Sequence, residues 1–272
     1  MCGIVGYVGN KKYGPDVVIN GLRRLEYRGY DSAGIAIRYN PGERSDEMYG
    51  HVIENWREKG GVDELYDSIP ESVIWESNCV IGHTRWATHG APSRRNAHPH
   101  TSMKRAITLV HNGIIENYET LKKKLIQEGY EFESQTDTEV LVNWIEYMYH
   151  KIYSETPGDL ELAVRLALKD VVGAYAILVM SPETDTVVMA KKSSPLAIGL
   201  AEDGFIIASD ATPIVEYTKD VVYLEDDQLA VIENNSNMRI IGMDAIEVSP
   251  TVERVELELE QLEKGGFDSF MM

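Results

Sequence analysis

Cys2-Gly3-Ile4-Val5-Gly6-Tyr7-Val8 is an apolar run of strand length that begins on a cysteine. Such a run reads as a buried strand, and a buried strand would hold the chain terminus still. Removal of Met1 would leave the Cys2 thiol and an α-amine on one residue. A thiol with an ordinary pKa of about 8.5 then sits beside an amine of about 7.7 to 8.0, which is matched to act as its general base at neutral pH. That arrangement activates a nucleophile without a separate histidine. The competing reading is a frayed end carrying an incidental cysteine, and this stretch alone leaves both open.

Beyond that strand, helix-period segments are predicted over residues 15–25, 117–127, 138–149 and 160–168. Pro15 suits a helix start, and Thr136-Asp137-Thr138-Glu139 forms an N-terminal cap with acid in the first turn, ahead of apolar Val140, Leu141, Trp144 and Ile145. Strands are predicted over 4–8, 34–37, 80–84, 106–110, 175–180, 186–190, 196–200, 205–208, 221–224 and 229–232. Residues 41–77 are polar and charged, and read as strands and a short helix among loops. Helices fall between clusters of strands without regular βαβ alternation, which favours a layered α+β fold over a Rossmann sheet.

The chain has 272 residues, enough for one full core, and a formal net charge of -18. That charge repels phosphate backbones and anionic lipid, so nucleic acid and membrane surfaces are not expected partners. No apolar run is long enough for a bilayer span, and no secretory signal opens the chain. Two cysteines far apart argue against a disulfide framework and fit a reducing cytoplasm. Cys79, within Cys79-Val80-Ile81-Gly82, reads as a small buried hydrophobe.

Polar chemistry concentrates in Gly82-His83-Thr84-Arg85-Trp86-Ala87-Thr88-His89-Gly90 and in Asn96-Ala97-His98-Pro99-His100. The histidine spacings match no compact zinc pattern and no carboxylate or second thiol accompanies them, so no metal is expected. Arg85 suits an anchored carboxylate or, equally, a structural ion pair; Trp86 suits core or the wall of a site. In His111-Asn112-Gly113, a side-chain amide beside a glycine N–H can stabilise an oxyanion, although Asn-Gly is also a common turn dipeptide. Asp137 could bind an ammonium group or merely cap its helix. Charges in the run 23–34 either buttress the terminus or mark a solvated helix end.

Together, Cys2-Gly3-Ile4, Leu25-Glu26-Tyr27-Arg28-Gly29-Tyr30-Asp31-Ser32-Ala33-Gly34, the 83–90 and 96–100 runs and His111-Asn112-Gly113-Ile114-Ile115-Glu116-Asn117 resemble the class II, N-terminal-nucleophile glutamine amidotransferases. Within that class they look most like the glutaminase domain of the glutamine-fructose-6-phosphate aminotransferases, the glucosamine-6-phosphate synthases; amidophosphoribosyltransferases and asparagine synthetases differ at these places. The resemblance covers essentially the whole chain and implies a four-layer αββα fold, with two antiparallel sheets between helical layers. It implies Cys2 as nucleophile and Asn112 with Gly113 as oxyanion hole. Arg85, Thr88 and His89 would hold the glutamine α-carboxylate, Asp137 and the Gly113 region its α-ammonium, and Trp86 would lie beside the site near the ammonia route. Arg28 and His98 would support the terminal loop.

No metal or cofactor is implied. The resemblance further divides the chain into a glutaminase domain, residues 1–263, and the start of an interdomain linker, residues 264–272, with no counterpart to the two sugar isomerase domains that bind fructose 6-phosphate. Alone the chain should convert L-glutamine to glutamate and ammonia; joined to the sugar isomerase domains it would supply ammonia for glucosamine 6-phosphate in hexosamine biosynthesis. A homodimer is compatible with this reading. An amidotransferase serving another acceptor, or a non-catalytic glutamine-binding domain, are the alternatives that a continuation beyond Met272 and a turnover assay would separate.

Overall fold

The computed structural model describes residues 2–40, 51–73, 75–87, 90–233 and 235–256. Among these, eight strands form one sheet: β1 (Gly3–Gly9), β2 (Ser32–Tyr39), β3 (Val52–Lys59), β4 (Cys79–Arg85), β9 (Ala197–Ala201), β10 (Gly204–Ala208), β11 (Asp220–Tyr223) and β15 (Val252–Arg254), in spatial order β15-β11-β9-β10-β1-β4-β2-β3. Seven form the other: β5 (His100–Thr101), β6 (Thr108–Ile115), β7 (Gly173–Met180), β8 (Val187–Lys192), β12 (Gln228–Glu233), β13 (Asn237–Gly242) and β14 (Glu247–Val248), in order β14-β13-β12-β8-β7-β6-β5. Every ladder between these strands is antiparallel.

All seven residues of β1 are buried, because both of its faces are covered. Successive side chains alternate between faces. Val5 and Tyr7 meet Val18 and Leu22 of helix α1 (Gly14–Leu25), while Ile4 and Val8 meet Val110, Leu178 and Met180 of the second sheet. Helix α2 (Val62–Ser68) adds Val62 and Leu65 to the α1 side. Beyond the second sheet lie α3 (Tyr118–Gln127), α4 (Asp137–Ile152) and α5 (Leu160–Lys169), which bury Leu121, Leu125, Leu141, Ile145, Val164 and Leu168 against Leu109, Ile177 and Val188. Three apolar interfaces thus separate four layers in the order αββα, as the resemblance implied. Each fully buried aliphatic side chain in them contributes about 1.5–3 kcal/mol relative to exposure.

Local chemistry explains the helix boundaries. Pro15 lies in the first turn of α1, where a missing N–H costs nothing. The Thr136 hydroxyl caps α4 by accepting from the Glu139 N–H at 3.2 Å, and Asp159 caps α5 through the Leu162 N–H at 2.9 Å. Cys79 is fully buried between the sheets, as a small hydrophobe would be.

Two sequence expectations need correction. The strand expected over 106–110 runs instead over Thr108–Ile115. Residues 102–106 form the turn, with Arg105 in the left-handed region (φ 65°) and the Ala106 N–H donating to the buried Glu146 carboxylate at 3.1 Å. The Asn112-Gly113 pair therefore lies inside β6, opposite Ala176 and Tyr175, and is not a turn. Strand β13 was missed because it follows Asn-Asn-Ser-Asn and pairs only with β12 and short β14. The polar 41–77 region contains β3 and α2 where described; residues 41–50 and 74 lie outside the described residues, as do 257–272 with the expected linker. No helix among the described residues is long and apolar enough to cross a membrane.

Candidate active site

Strand register brings Cys2 to Arg85. Strand β1 runs antiparallel to β4 with Gly3 opposite Thr84, so one step further sets Cys2 beside Arg85, which is also opposite Ser32 of β2. The Cys2 Sγ accepts a hydrogen bond from the Trp86 N–H at 3.3 Å, and its S–H faces the Trp86 carbonyl at 3.6 Å. Asp31 fixes this stretch: its N–H donates to the Arg85 carbonyl at 2.9 Å and its carboxylate accepts from the Ala87 N–H at 2.8 Å. Burial pushes the Cys2 thiol pKa up, opposed by the Trp86 N–H and by the positive charges of Arg85 and Arg28. The Arg85 guanidinium is itself buried and donates to the Gly90 carbonyl at 3.2 Å. Its burial works against its charge, while Cys2, Asp137 and Asp31 support it.

The second sheet and α4 supply the opposite wall. Asn112 Nδ2 donates to the Cys2 carbonyl at 3.1 Å, linking the two sheets at the terminus. Asp137 lies in the first turn of α4, but it is not the cap; Thr136 takes that role, and Asp137 Oδ2 accepts from the Ile115 N–H at 2.8 Å. His111 bonds the Thr138 hydroxyl at 3.0 Å. A cleft is lined by Cys2, Arg85, Trp86, Gly113, Asp137 and their neighbours His98, His111, Thr136 and Thr138. A guanidinium, a carboxylate and a thiol on one cleft suit a zwitterionic substrate.

Gly113 holds its place through backbone geometry. Its φ of +136° is a conformation that side-chain-bearing residues rarely adopt, and an added Cβ would sit 2.0 Å from the Ala174 carbonyl oxygen. Gly113→Ala must therefore separate β6 from β7, at a cost of about 3 kcal/mol or more. The expected result is a clear drop in melting temperature together with a fall in any turnover the cleft supports, read by thermal melts and rate assays. Wild-type values for both would contradict this account.

Arg28 and His98 act at one remove. Arg28 donates to the Ser209 carbonyl at 2.9 Å and to its hydroxyl at 3.3 Å, and that hydroxyl accepts from the Ile4 N–H at 3.0 Å. The charge thus buttresses β1, the first of the two readings the run 23–34 left open. Asp210 joins it at 3.7 Å; burial alone would raise the Asp210 carboxyl, but hydrogen bonds from Thr212 and Tyr27 and the charge of Arg28 bring it below its ordinary range. His98 lines the cleft and packs on His83 with ring centroids 4.2 Å apart. Thr88 and His89 lie outside the described residues.

The histidines face separate partners: His83 Nε2 meets Asn112 and the His111 carbonyl, His111 Nδ1 meets Thr138, and His100 Nε2 meets Thr136. Among the described residues, no three His, Cys, Asp or Glu side chains are grouped to hold a metal. Sequence reasoning missed Asp31, Thr136, Thr138 and Ser209 as parts of the site. Ser209 carried one available signal, its position directly after a strand end, where loops often hold functional groups.

Comparison with known proteins agrees with this geometry. A family model described as a glutamine amidotransferase domain matches residues 67–240. Glutamine-fructose-6-phosphate aminotransferase (isomerizing) of Bacteroides thetaiotaomicron is 50% identical over 273 residues, and that of Chlorobaculum tepidum 46% over 275; each alignment covers 100% of this chain and 42% of the relative. The chain thus spans well under half the length of these curated relatives. Among solved structures, the glutamine phosphoribosylpyrophosphate amidotransferase of B. subtilis superposes with a TM-score of 0.70 at 26% identity, covering 89% of this chain and 49% of that one. Matched by the family model over more than half its length, and built on the same fold as that amidotransferase, the chain belongs to the glutamine amidotransferase domain family.

Proposed function

We propose that the chain hydrolyses the side-chain amide of L-glutamine to glutamate and ammonia through a Cys2 thioester. The observation that carries this reading is the convergence of Cys2, Arg85, Gly113 and Asp137 on one cleft, with the Asn112 amide reaching the Cys2 backbone. With Met1 removed, the thiol attacks the amide carbon while its proton passes to the Cys2 α-amine. Asn112 Nδ2 and the Gly113 N–H stabilise the oxyanion. The C–N bond then breaks, the amine's proton leaves with ammonia, and a γ-glutamyl thioester remains. Water attacks that thioester, giving up a proton to the same amine, and the proton returns to the departing thiolate.

Arg85, with Thr88 and His89, binds the α-carboxylate, and Asp137 binds the α-ammonium. Clamping both ends fixes the amide against sulfur, so that binding supplies orientation. Trp86, about half exposed at the rim, is placed to shield released ammonia. The relatives' name supports fructose 6-phosphate as acceptor in sugar isomerase domains joined to this one, the present unit being residues 1–263 and the connection beginning near 264. The two free cysteines suit the cytoplasm.

The test is direct. Incubation with glutamine should release equimolar glutamate and ammonia, and diazo-oxo-norleucine should add a single label, mapped by mass spectrometry to Cys2. A folded protein that binds glutamine but neither turns it over nor takes the label would overturn the reading.

A further inference from the structure

On the reading that this cleft hydrolyses glutamine, we propose that His83 is a positioning residue whose Nε2–H locks the Asn112 amide with its NH2 group toward the forming oxyanion. His83 Nε2 lies 2.9 Å from Asn112 Oδ1 and 3.1 Å from the His111 carbonyl oxygen. A main-chain carbonyl only accepts, so the ring nitrogen facing it carries the hydrogen. One N–H shared between the two oxygens then requires Asn112 to present Oδ1 on this side. Nδ2 falls on the opposite edge, where one hydrogen donates to the Cys2 carbonyl at 3.1 Å and the second is left for substrate. Rotating the amide by half a turn would set NH2 against the imidazole N–H and Oδ1 against the Cys2 oxygen, two repulsive contacts.

The rest of the surroundings fit this tautomer. His83 Nδ1 is buried without a hydrogen-bond partner among the described residues, which costs less for a bare lone pair than for an N–H. The ring is fully buried on β4, on the face toward the second sheet, and packs on His98. Burial brings its pKa down to about 3, so the imidazole stays neutral in the working range. Donation into Oδ1 also polarises the amide and strengthens the remaining Nδ2–H as a donor.

Arg85 and Asp137, which clamp the substrate ends, make no hydrogen bond to His83, so the loss should appear in kcat. His83→Ala is expected to lower kcat for glutamine hydrolysis about 10- to 100-fold with KM nearly unchanged, somewhat less than deleting an oxyanion donor outright. His83→Gln, whose amide N–H can reach the same oxygens, should recover activity to within several-fold of wild type. In an Asn112→Ala background, already reduced by about 10²–10³-fold, adding His83→Ala should cost less than about 3-fold more. Losses that multiply, a loss carried by KM, or a folded Gln variant without recovery would each overturn the proposal. Nitrogen-15 NMR of the wild-type imidazoles separates this proposal from the reading it rests on. A His83 ring protonated at Nδ1 overturns the positioning role even in an active glutaminase. A wild-type protein that releases no ammonia overturns the glutaminase reading, and the tautomer then judges His83 alone.

Discussion

The Cys2→Ala chain is expected to fold with the wild-type melting temperature and to release ammonia from glutamine on the order of 10⁴-fold more slowly, or not at all. Only one partly exposed sulfur is lost, so stability should change by less than about 1 kcal/mol. The chemical loss is large because burial raises the Cys2 thiol pKa, leaving it protonated near pH 7 and in need of a base during attack. Among the described residues, its hydrogen-bonding contacts are the Trp86 backbone groups. On the proposed mechanism the α-amine of the same residue is that base. It follows that a chain retaining an uncleavable residue before Cys2 should lose activity to a similar extent with its thiol intact. A coupled ammonia assay and a thermal melt measure both variants. Activity above about one per cent of wild type in either would refute N-terminal catalysis.

The layered fold was legible because its long elements carry clean periods. Residues 15–25 and 138–149 repeat apolar side chains at helical spacing, and each observed helix contains or nearly matches the predicted range. What periodicity cannot supply is which strand ends meet. Cys2 and Arg85 are 83 positions apart in the chain, and only the antiparallel pairing of β1 with β4 sets them side by side. The resemblance implied roles for both at one site, but neither it nor the spacing gave the pairing.

The errors share a cause. Asn112-Gly113 looks locally like a turn, yet the turn falls at 102–106, where the buried Glu146 carboxylate collects the N–H groups of Lys104 and Ala106. Tertiary partners chose the turn, and the displaced Asn-Gly became a strand segment facing the cleft. Likewise, Thr136 and Asp137 are both competent caps, and the choice rests on the Ile115 N–H, 22 residues away, which takes the Asp137 carboxylate. Ser209 matters through a hydrogen bond to Ile4, 205 residues distant. Side chains whose role is set by such remote backbone groups leave no local pattern to read.

The buried histidines beneath this cleft make stability fall steeply between pH 7 and pH 5. Burial and the Arg85 and His111 rings and charges bring His83 down to about 3; burial with the same neighbours holds His98 and His100 well below the ordinary range, Arg57 adding to the effect on His100. Burial also lowers His111, although the nearby Asp137 charge opposes it. In the unfolded chain each titrates near 6.5. Below that value the unfolded state binds protons that the folded state refuses, so the stability present above pH 6.5 is lost as pH falls toward the folded pKa. For His83 the loss at pH 5 is about 2 kcal/mol. His98, His100 and His111 act in the same direction and add to this loss, against a typical margin of about 5–15 kcal/mol. Urea unfolding at pH 7, 6 and 5 should therefore show falling midpoints at constant m, with a proton uptake on unfolding that grows as the pH falls, reaching about one from His83 at pH 5 with the other three adding to it. His100→Gln should reduce that uptake by about one, because the Thr136 contact survives while the titrating ring does not. Carboxylates titrate mostly below this window, so a stability independent of pH from 7 to 5 would mean that these imidazoles are already charged in the folded protein, and the neutral scaffold around Asn112 would have to be abandoned.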